Sequence, residues 1–474
     1  MKLDVLSELD VLKIHKSTLR VLEKTGVKVH SAQAKQLLSE AGCRVGQADL
    51  VKIPPELVQQ SLETVSKGFT LYNRQGEVVG SISGRNCYFG TGVTNPNFHD
   101  WQTDQRRPTK VSDIAAAAKI ADYLPNIEWI MPLGSVQDVP SQVSDIYEFE
   151  AAVSNTTKPI VFICHDVRGV SDVLAMAEAI AGGKEKLIQK PFVISYPEPI
   201  SPLVHTKEAV EKLLFSAEYG IPIIYTPCPM AGATAPVTMA GLLVQTNAEC
   251  LSGLVMSQLK RKGVPFVIGG VLTIMDMQTG SISYGAPELS LLLAGYADVA
   301  RYYSLPTWGT AGCSDAKVPD VQAAVEATFS SLINCMAGLN LVHDPGFLEG
   351  AMIGSLEMLV ITNEVVGMAR RFMEGIAVNE EMLAEDVINA VGPGGNYLTE
   401  DHTLRHFRQQ LWQPTLMDRR NYSTWKDNGA KTMQKRIKEK IRDILADHKP
   451  EPLPDDIKAR IKEIREKSET ERVK

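Results

Sequence analysis

The sequence predicts an α/β protein: a (β/α)8 TIM barrel with a helical cap before it and a helical extension after it. Three observations lead there. Short apolar runs recur eight times, each followed by a helical pattern. Strands alternating with helices call for right-handed crossovers and a parallel sheet. The runs are continuously apolar, as strands buried on both faces are, and a count of eight favours closure into a barrel over an open sheet. No G-x-G-x-x-G and no Walker loop occurs in the chain, which weighs against a nucleotide-binding sheet.

Residues 1–85 read as an N-terminal cap. Leu9, Leu12, Ile14, Leu19 and Leu22 suggest one amphipathic helix. Ser31 to Ala41 suggests a second, stopped by Gly42. Pro54 and Pro55 open a third, since proline suits a first helical turn. FTLYN and EVVGSI, split by Arg74-Gln75-Gly76, read as a short hairpin. The barrel is expected over 86–378. Its strands are Cys87–Gly90, Ile127–Met131, Pro159–Cys164, Phe192–Tyr196, Pro222–Thr226, Pro265–Gly269, Pro306–Thr310 and Asn340–His343. Helical patterns follow each, among them Val111–Tyr123, Thr238–Arg261, Pro287–Tyr303 and Val321–Ala337. Residues 379–474 read as a helical extension. It carries a glycine-rich turn at Val391–Tyr397 and long polar helices over Ala430–His448 and Pro454–Lys467, which pack on a partner subunit or lie on the surface.

Composition excludes several function classes. Of 474 residues, 44% are hydrophobic and 22% charged, as in ordinary soluble proteins. The net charge of −7 argues against nucleic-acid binding. The charge is uneven: from Lys426 onward 15 Lys and Arg face 11 Asp and Glu, leaving −11 on the rest. The bland reading of that tail is a solvated helical surface, and the sharper one a basic handle for an acidic partner. The start, MKLDVLSELD, is neither a signal nor a transit peptide, and polar residues interrupt every long apolar stretch. No membrane association is therefore expected. Seven scattered cysteines with no CxxC pair fit free thiols in a cytoplasmic setting.

In such a barrel the chemistry sits where the strands end. Metal-dependent barrel hydrolases typically carry paired histidines early in the chain, whereas His165 and His343 are single and far apart. His402 and His406 have helical i, i+4 spacing but lie outside the barrel. Zinc needs three or four converging ligands, and none can be assembled, so no permanently bound metal is expected. No lysine ends a strand, which argues against Schiff-base chemistry. A carboxylate pair for glycoside work is conceivable in Glu198 and Asp315, though a sugar cleft offers more such groups together. What the mouth offers is rings. Tyr88, Phe89, Tyr196, Trp308 and Phe347 lie at or just past strand ends, and Tyr225 is close. Ring faces attract cations, most usefully a quaternary ammonium that has no N–H to donate. The plain alternative is that each ring fills the barrel. With only 6% aromatics in the chain, several such coincidences are less economical than a cage.

Three segments sharpen this: Pro227–Gln258 (PCPMAGATAPVTMAGLLVQTNAECLSGLVMSQ), Gly309–Glu326 (GTAGCSDAKVPDVQAAVE) and Asp344–Asn363 (DPGFLEGAMIGSLEMLVITN). They resemble the trimethylamine:corrinoid methyltransferase family, and the resemblance runs from the cap to roughly Asp418. It implies a (β/α)8 barrel that passes a methyl group from a methylated amine to cobalt(I) of a cobalamin held by a separate small corrinoid protein. Trimethylamine-specific members of that family contain pyrrolysine. This chain has only standard residues, so it resembles the branch acting on quaternary amines: glycine betaine first, with proline betaine, carnitine and γ-butyrobetaine as alternatives. The pyrrolysine position is expected in or near Gly312–Cys313.

The resemblance assigns further roles. His343 is read as binding a substrate carboxylate, or else as a structural histidine. Glu198 faces the ammonium or orients another residue. Glu249, within a long helical pattern, orients a ring, completes the site from below, or is simply buried. Asp315 and Lys317 shape the mouth or cap the next helix, and Asp320 is read as a cap. No residue is assigned as acid or base, because displacement of a neutral amine by cobalt(I) moves no proton. The cobalamin is expected on the partner, since no D-x-H-x-x-G signature occurs here. A symmetric homo-oligomer is expected, as for most oligomeric enzymes. Two other classes stay open: a metal-dependent barrel hydrolase or lyase, and a non-enzymatic quaternary-ammonium binding protein.

Overall fold

The computed structural model describes residues 1–473. All eight expected runs are barrel staves. Tyr88–Phe89 pairs in parallel with Leu341–His343, which pairs with Thr307–Thr310, and so on through Phe266–Gly269, Ile223–Ile224 and Val193–Ser195 to Ile160–Phe162. The second stave closes the ring. It is thin: Trp129 bridges Gly90, and Ile130 bridges Ile160. The Thr91 hydroxyl reinforces that seam by donating to the Met131 carbonyl (2.6 Å) and accepting from the Met131 N–H (2.8 Å).

Side chains alternate along each stave, so one set fills the barrel and the other meets the helices. Trp129, Met131, Val161, Ile194, Tyr196, Ile224, Val267, Trp308 and Leu341 form the inner cluster. Phe89, Ile130, Ile160, Phe162, Val193, Ile223, Phe266, Ile268 and Val342 belong to the outer core. The helices run Val111–Tyr123, Ser144–Ser154, Val167–Ala181, Lys207–Tyr219, Met239–Lys260, Pro287–Tyr303, Val321–Ala337 and Leu356–Met373. Their starts are capped by the side chains a sequence reading looks for. Asp166, Thr206, Asp320 and Ser355 each accept a backbone N–H three residues on. Asp320 is thus a cap, as expected.

The N-terminal segment forms the helices Glu8–Arg20, Ala32–Glu40 and Pro55–Thr64. Its hairpin, Phe69–Tyr72 with Val78–Ile82, seals the amino end of the barrel. Leu71 and Ile82 enter the inner cluster. The Tyr72 and Arg74 N–H groups donate to Pro191 and Thr157, just ahead of two staves. Asn340 ties the following loop down by donating to the carbonyls of Ser83, Gly84 and Asn86.

The polar tail folds back onto the barrel. Met433–Asp447 buries Ile437, Ile441 and Ile444 against the helices Val111–Tyr123 and Leu356–Met373. Asp455–Arg472 lies along Val167–Ala181, with Ile461 and Ile464 buried. Between barrel and tail, the short helices Glu380–Leu383, Glu385–Val391 and Asp401–Gln410 bury none of their residues. No described helix is long and apolar enough to cross a membrane.

Candidate active site

At the carboxyl end of the staves lies a cavity of about 150 Å³. Val93 and Thr94 line it after the first stave, Ile163 from the third, and Tyr196 and Glu198 from the fourth. Cys228, Val271 and Tyr284 come from the loops after the fifth and sixth, and His343, Asp344, Phe347 and Ala351 close it. Sites for drug-sized ligands span about 300–1,000 Å³, so this one suits a compact molecule.

Beneath the cavity the rings interlock. Trp308, with no exposed surface, stacks on His343 with centroids 4.4 Å apart and planes 18° apart. Tyr196 and Trp129 lie at 5.2 Å from Trp308 on other sides. The tilted geometries are those that aromatic quadrupoles favour. Gly90 makes this layer possible, because a Cβ there would sit 2.2 Å from the Trp129 ring. The Trp308 Nε1–H has no hydrogen-bond partner among the described residues.

The polar wall is made by His343 and Asp344. Asp344 adopts the left-handed backbone (φ 81°), which costs a non-glycine residue about 1–2 kcal/mol. That turn brings its carboxylate onto His343 Nδ1 as a tight ion-pair-type contact. His343 Nε2 meets the Thr310 hydroxyl at 3.0 Å. Asp344 Oδ2 has no partner among the described residues, although the residue is only 1% exposed. Gly92 clears the space, since a Cβ there would meet Asp344 Oδ1 at 2.6 Å and the Phe347 ring at 2.3 Å.

Glu198 and Cys228 retain accessible surface where they line the cavity, but protein surrounds them and governs their titration. Burial raises the Glu198 carboxyl above the usual range; the Lys212 charge, a hydrogen bond from Tyr196 and the His343 charge pull the other way. Lys212 itself sits behind the wall and donates to the Cys164 carbonyl (2.6 Å). Burial pushes the Cys228 thiol up to about 12. The Tyr196 and Tyr284 phenols are likewise driven up by burial and stay protonated.

Tyr196, Glu198, His343 and Phe347 come together as expected, with Trp308 directly below. Six expected site residues do not line the cavity, Trp308 beneath it among them. Phe89 points outward, because it is one residue out of phase with the inward Tyr88. Tyr88 points inward at the sealed end, its ring against Gly80 of the hairpin. Glu249 is fully buried in the helix Met239–Lys260, where it accepts from Leu203 N–H (2.7 Å), Ser201 Oγ (2.9 Å) and Gln245 Nε2 (3.1 Å). It is an anchor for the loop after the fourth stave. Gly312 turns away with φ 72°, its N–H on Ser330 and its carbonyl on Thr362, and Cys313 is buried in the outer core. Tyr225 also faces outward, its hydroxyl on His205 Nδ1 at 2.7 Å. His343, read as binding a substrate carboxylate, has its two ring nitrogens against Asp344 and Thr310.

Sequence reasoning missed Asp344, Tyr284 and Cys228. Asp344 carried a usable signal: an Asp-Pro-Gly turn directly after a stave. Tyr284 is presented by Asp315, whose carboxylate accepts from the N–H groups of Tyr284 (2.7 Å) and Gly285 (2.9 Å) and from the Ser283 hydroxyl. Asp315 therefore shapes the mouth through another residue.

Away from the cavity, one described trio (His99, Asp104, Glu357) has ligand atoms within 4.8 Å of one another. Glu357 pairs with His99 at 2.8 Å, and exposed Asp104 is engaged by Lys438 at 2.5 Å. The cavity groups do not converge in that way.

The geometry can be set beside known proteins. The chain is 36% identical over 474 residues to the trimethylamine methyltransferase MttB of Desulfitobacterium hafniense (strain DSM 10664 / DCB-2), covering 98% of this chain and 94% of that one. It is 31% identical over 462 residues to the glycine betaine methyltransferase of D. hafniense (strain Y51), covering 97% and 96%. Among solved structures, the monomethylamine methyltransferase MtmB of Methanosarcina barkeri aligns over 95% of this chain at 11% identity with a TM-score of 0.49. The model of one family, trimethylamine methyltransferase (MTTB), matches residues 1–471, and this chain belongs to that family.

Proposed function

We propose that this protein moves a methyl group from a quaternary amine to cobalt(I) of a cobalamin carried by a separate small corrinoid protein. The observation that carries the reading is the character of the cavity: rings and two carboxylates, Glu198 and Asp344, around a compact space, with no lysine or arginine in its lining among the described residues. In the reaction one C–N bond breaks, its electron pair stays on nitrogen, and a neutral tertiary amine leaves as the methyl joins cobalt. No proton moves, so an acid/base relay is not required. What this chain supplies is placement. Glu198 and Asp344 balance the ammonium, while Tyr196, Tyr284 and Phe347 enclose its methyl groups and exclude water.

Glycine betaine, giving dimethylglycine, is the reference substrate, with proline betaine, carnitine and γ-butyrobetaine as comparisons. The reading places catalysis in residues 86–378, in a cytoplasmic homo-oligomer. Mixing the protein with each amine and cobalt(I) cobalamin, alone or on a corrinoid protein, should produce methylcobalamin by absorbance. Absence of methylation with every quaternary amine would sink the proposal.

A further inference from the structure

We infer that the cavity selects a compact quaternary ammonium bearing no carboxylate, of the tetramethylammonium or choline type, over the betaines. The inference rests on the methyltransferase reading for its chemistry but on the cavity wall for its selectivity.

Two carboxylates, Glu198 and Asp344, line the space, and among the described residues no lysine or arginine does. Lys212, whose charge acts on Glu198, is committed to the Cys164 carbonyl. His343 has both ring nitrogens engaged, by Asp344 and by Thr310. A betaine entering here would bring its own carboxylate against two others, with no lysine or arginine in the lining to receive it. Like charges held together in a poorly solvated site repel strongly. Asp344 is held in the wall by its left-handed backbone and its contact with His343. Glu198, exposed at the cavity, is the carboxylate an entering ligand meets.

Titration calorimetry on the full chain tests this with tetramethylammonium chloride, choline, glycine betaine and the neutral carbon isostere of choline. Both cations should bind at least about tenfold more tightly than glycine betaine or the isostere. Asp344→Asn and Glu198→Gln should each weaken cation binding by about tenfold and narrow the gap to glycine betaine. Glu198 makes no backbone contact that folding depends on, so its variant carries the test if Asp344→Asn does not fold. Glycine betaine binding as tightly as choline overturns the inference, and so does equal affinity for choline and its isostere. A parallel methyl-transfer assay separates the two proposals. Tight betaine binding with transfer rejects the selectivity and keeps the methyltransferase. Tight cation binding with no transfer from any amine upholds the cation site and rejects the methyltransferase.

Discussion

The two ends of the barrel are built from the same eight staves and both are rich in rings, yet only one of them opens onto the cavity described above. At the amino end, Tyr88 lies against the hairpin, Leu71 and Ile82 fill the centre, and Asn340 satisfies the polar groups of the loop beside it. At the carboxyl end, rings of the same kind surround a space where a carboxylate oxygen and an indole N–H lack partners. Rings alone therefore do not mark function in a barrel. Unpartnered polar groups beside an open space are a better guide, because a bound molecule can supply the partner they lack.

The largest expected effect comes from the layer the two ends share. Trp308→Ala removes the stack with His343 and the contacts to Tyr196 and Trp129. It should cost about 3–5 kcal/mol of stability, seen in chemical denaturation, and abolish measurable substrate binding. Trp412→Ala, outside the barrel, should do neither, and equal effects would refute the division. Next is Leu71→Ala at the sealed end, fully buried in the inner cluster. It should cost about 2–5 kcal/mol while leaving amine affinity unchanged in the protein that remains folded. A matching loss of affinity would mean that the hairpin end also takes part in binding. Smaller again is Asp315→Ala, which leaves the Tyr284 and Gly285 N–H groups without their acceptor, at about 1–3 kcal/mol. Its signature should be a raised KM with little change in kcat, because Asp315 acts only by holding Tyr284. A fall in kcat alone would contradict that.

The same contrast shows what the sequence made legible. All eight staves could be read, because strands buried on both faces leave unbroken apolar runs. Helix starts were legible where a capping side chain marks them, as at Asp320. Site membership was legible only down to the strand end. Whether a residue there faces in or out depends on single-residue phase, which two- to four-residue staves are too short to display: Tyr88 and Phe89 are neighbours on opposite faces. Whether a charged residue is free depends on partners far off in sequence. Glu249, open to a site role or to plain burial, takes the second through Ser201 and Leu203. Asp344 enters the cavity wall through the turn that follows its stave.

The subtlest prediction uses pH to tell the open end from a merely buried one. Burial raises the Glu198 carboxyl in the folded protein above the ordinary range. The folded state thus holds its proton at pH values where the unfolded chain has released it. Stability contributed by Glu198 is therefore greatest at acidic pH and declines as pH rises through its folded titration range. Cation binding has the opposite sign, because only the ionised carboxylate attracts the ammonium, so affinity should fall on acidification, starting above the pH where an ordinary glutamate titrates. Glu148, buried and raised to about 8, shares the stability trend but lies outside the cavity wall. Subtracting the Glu198→Gln profile removes its share. In the difference, stability and affinity should move in opposite directions over one pH window. Movement in the same direction would show that Glu198 is a buried acid like Glu148 and takes no part in holding the cation.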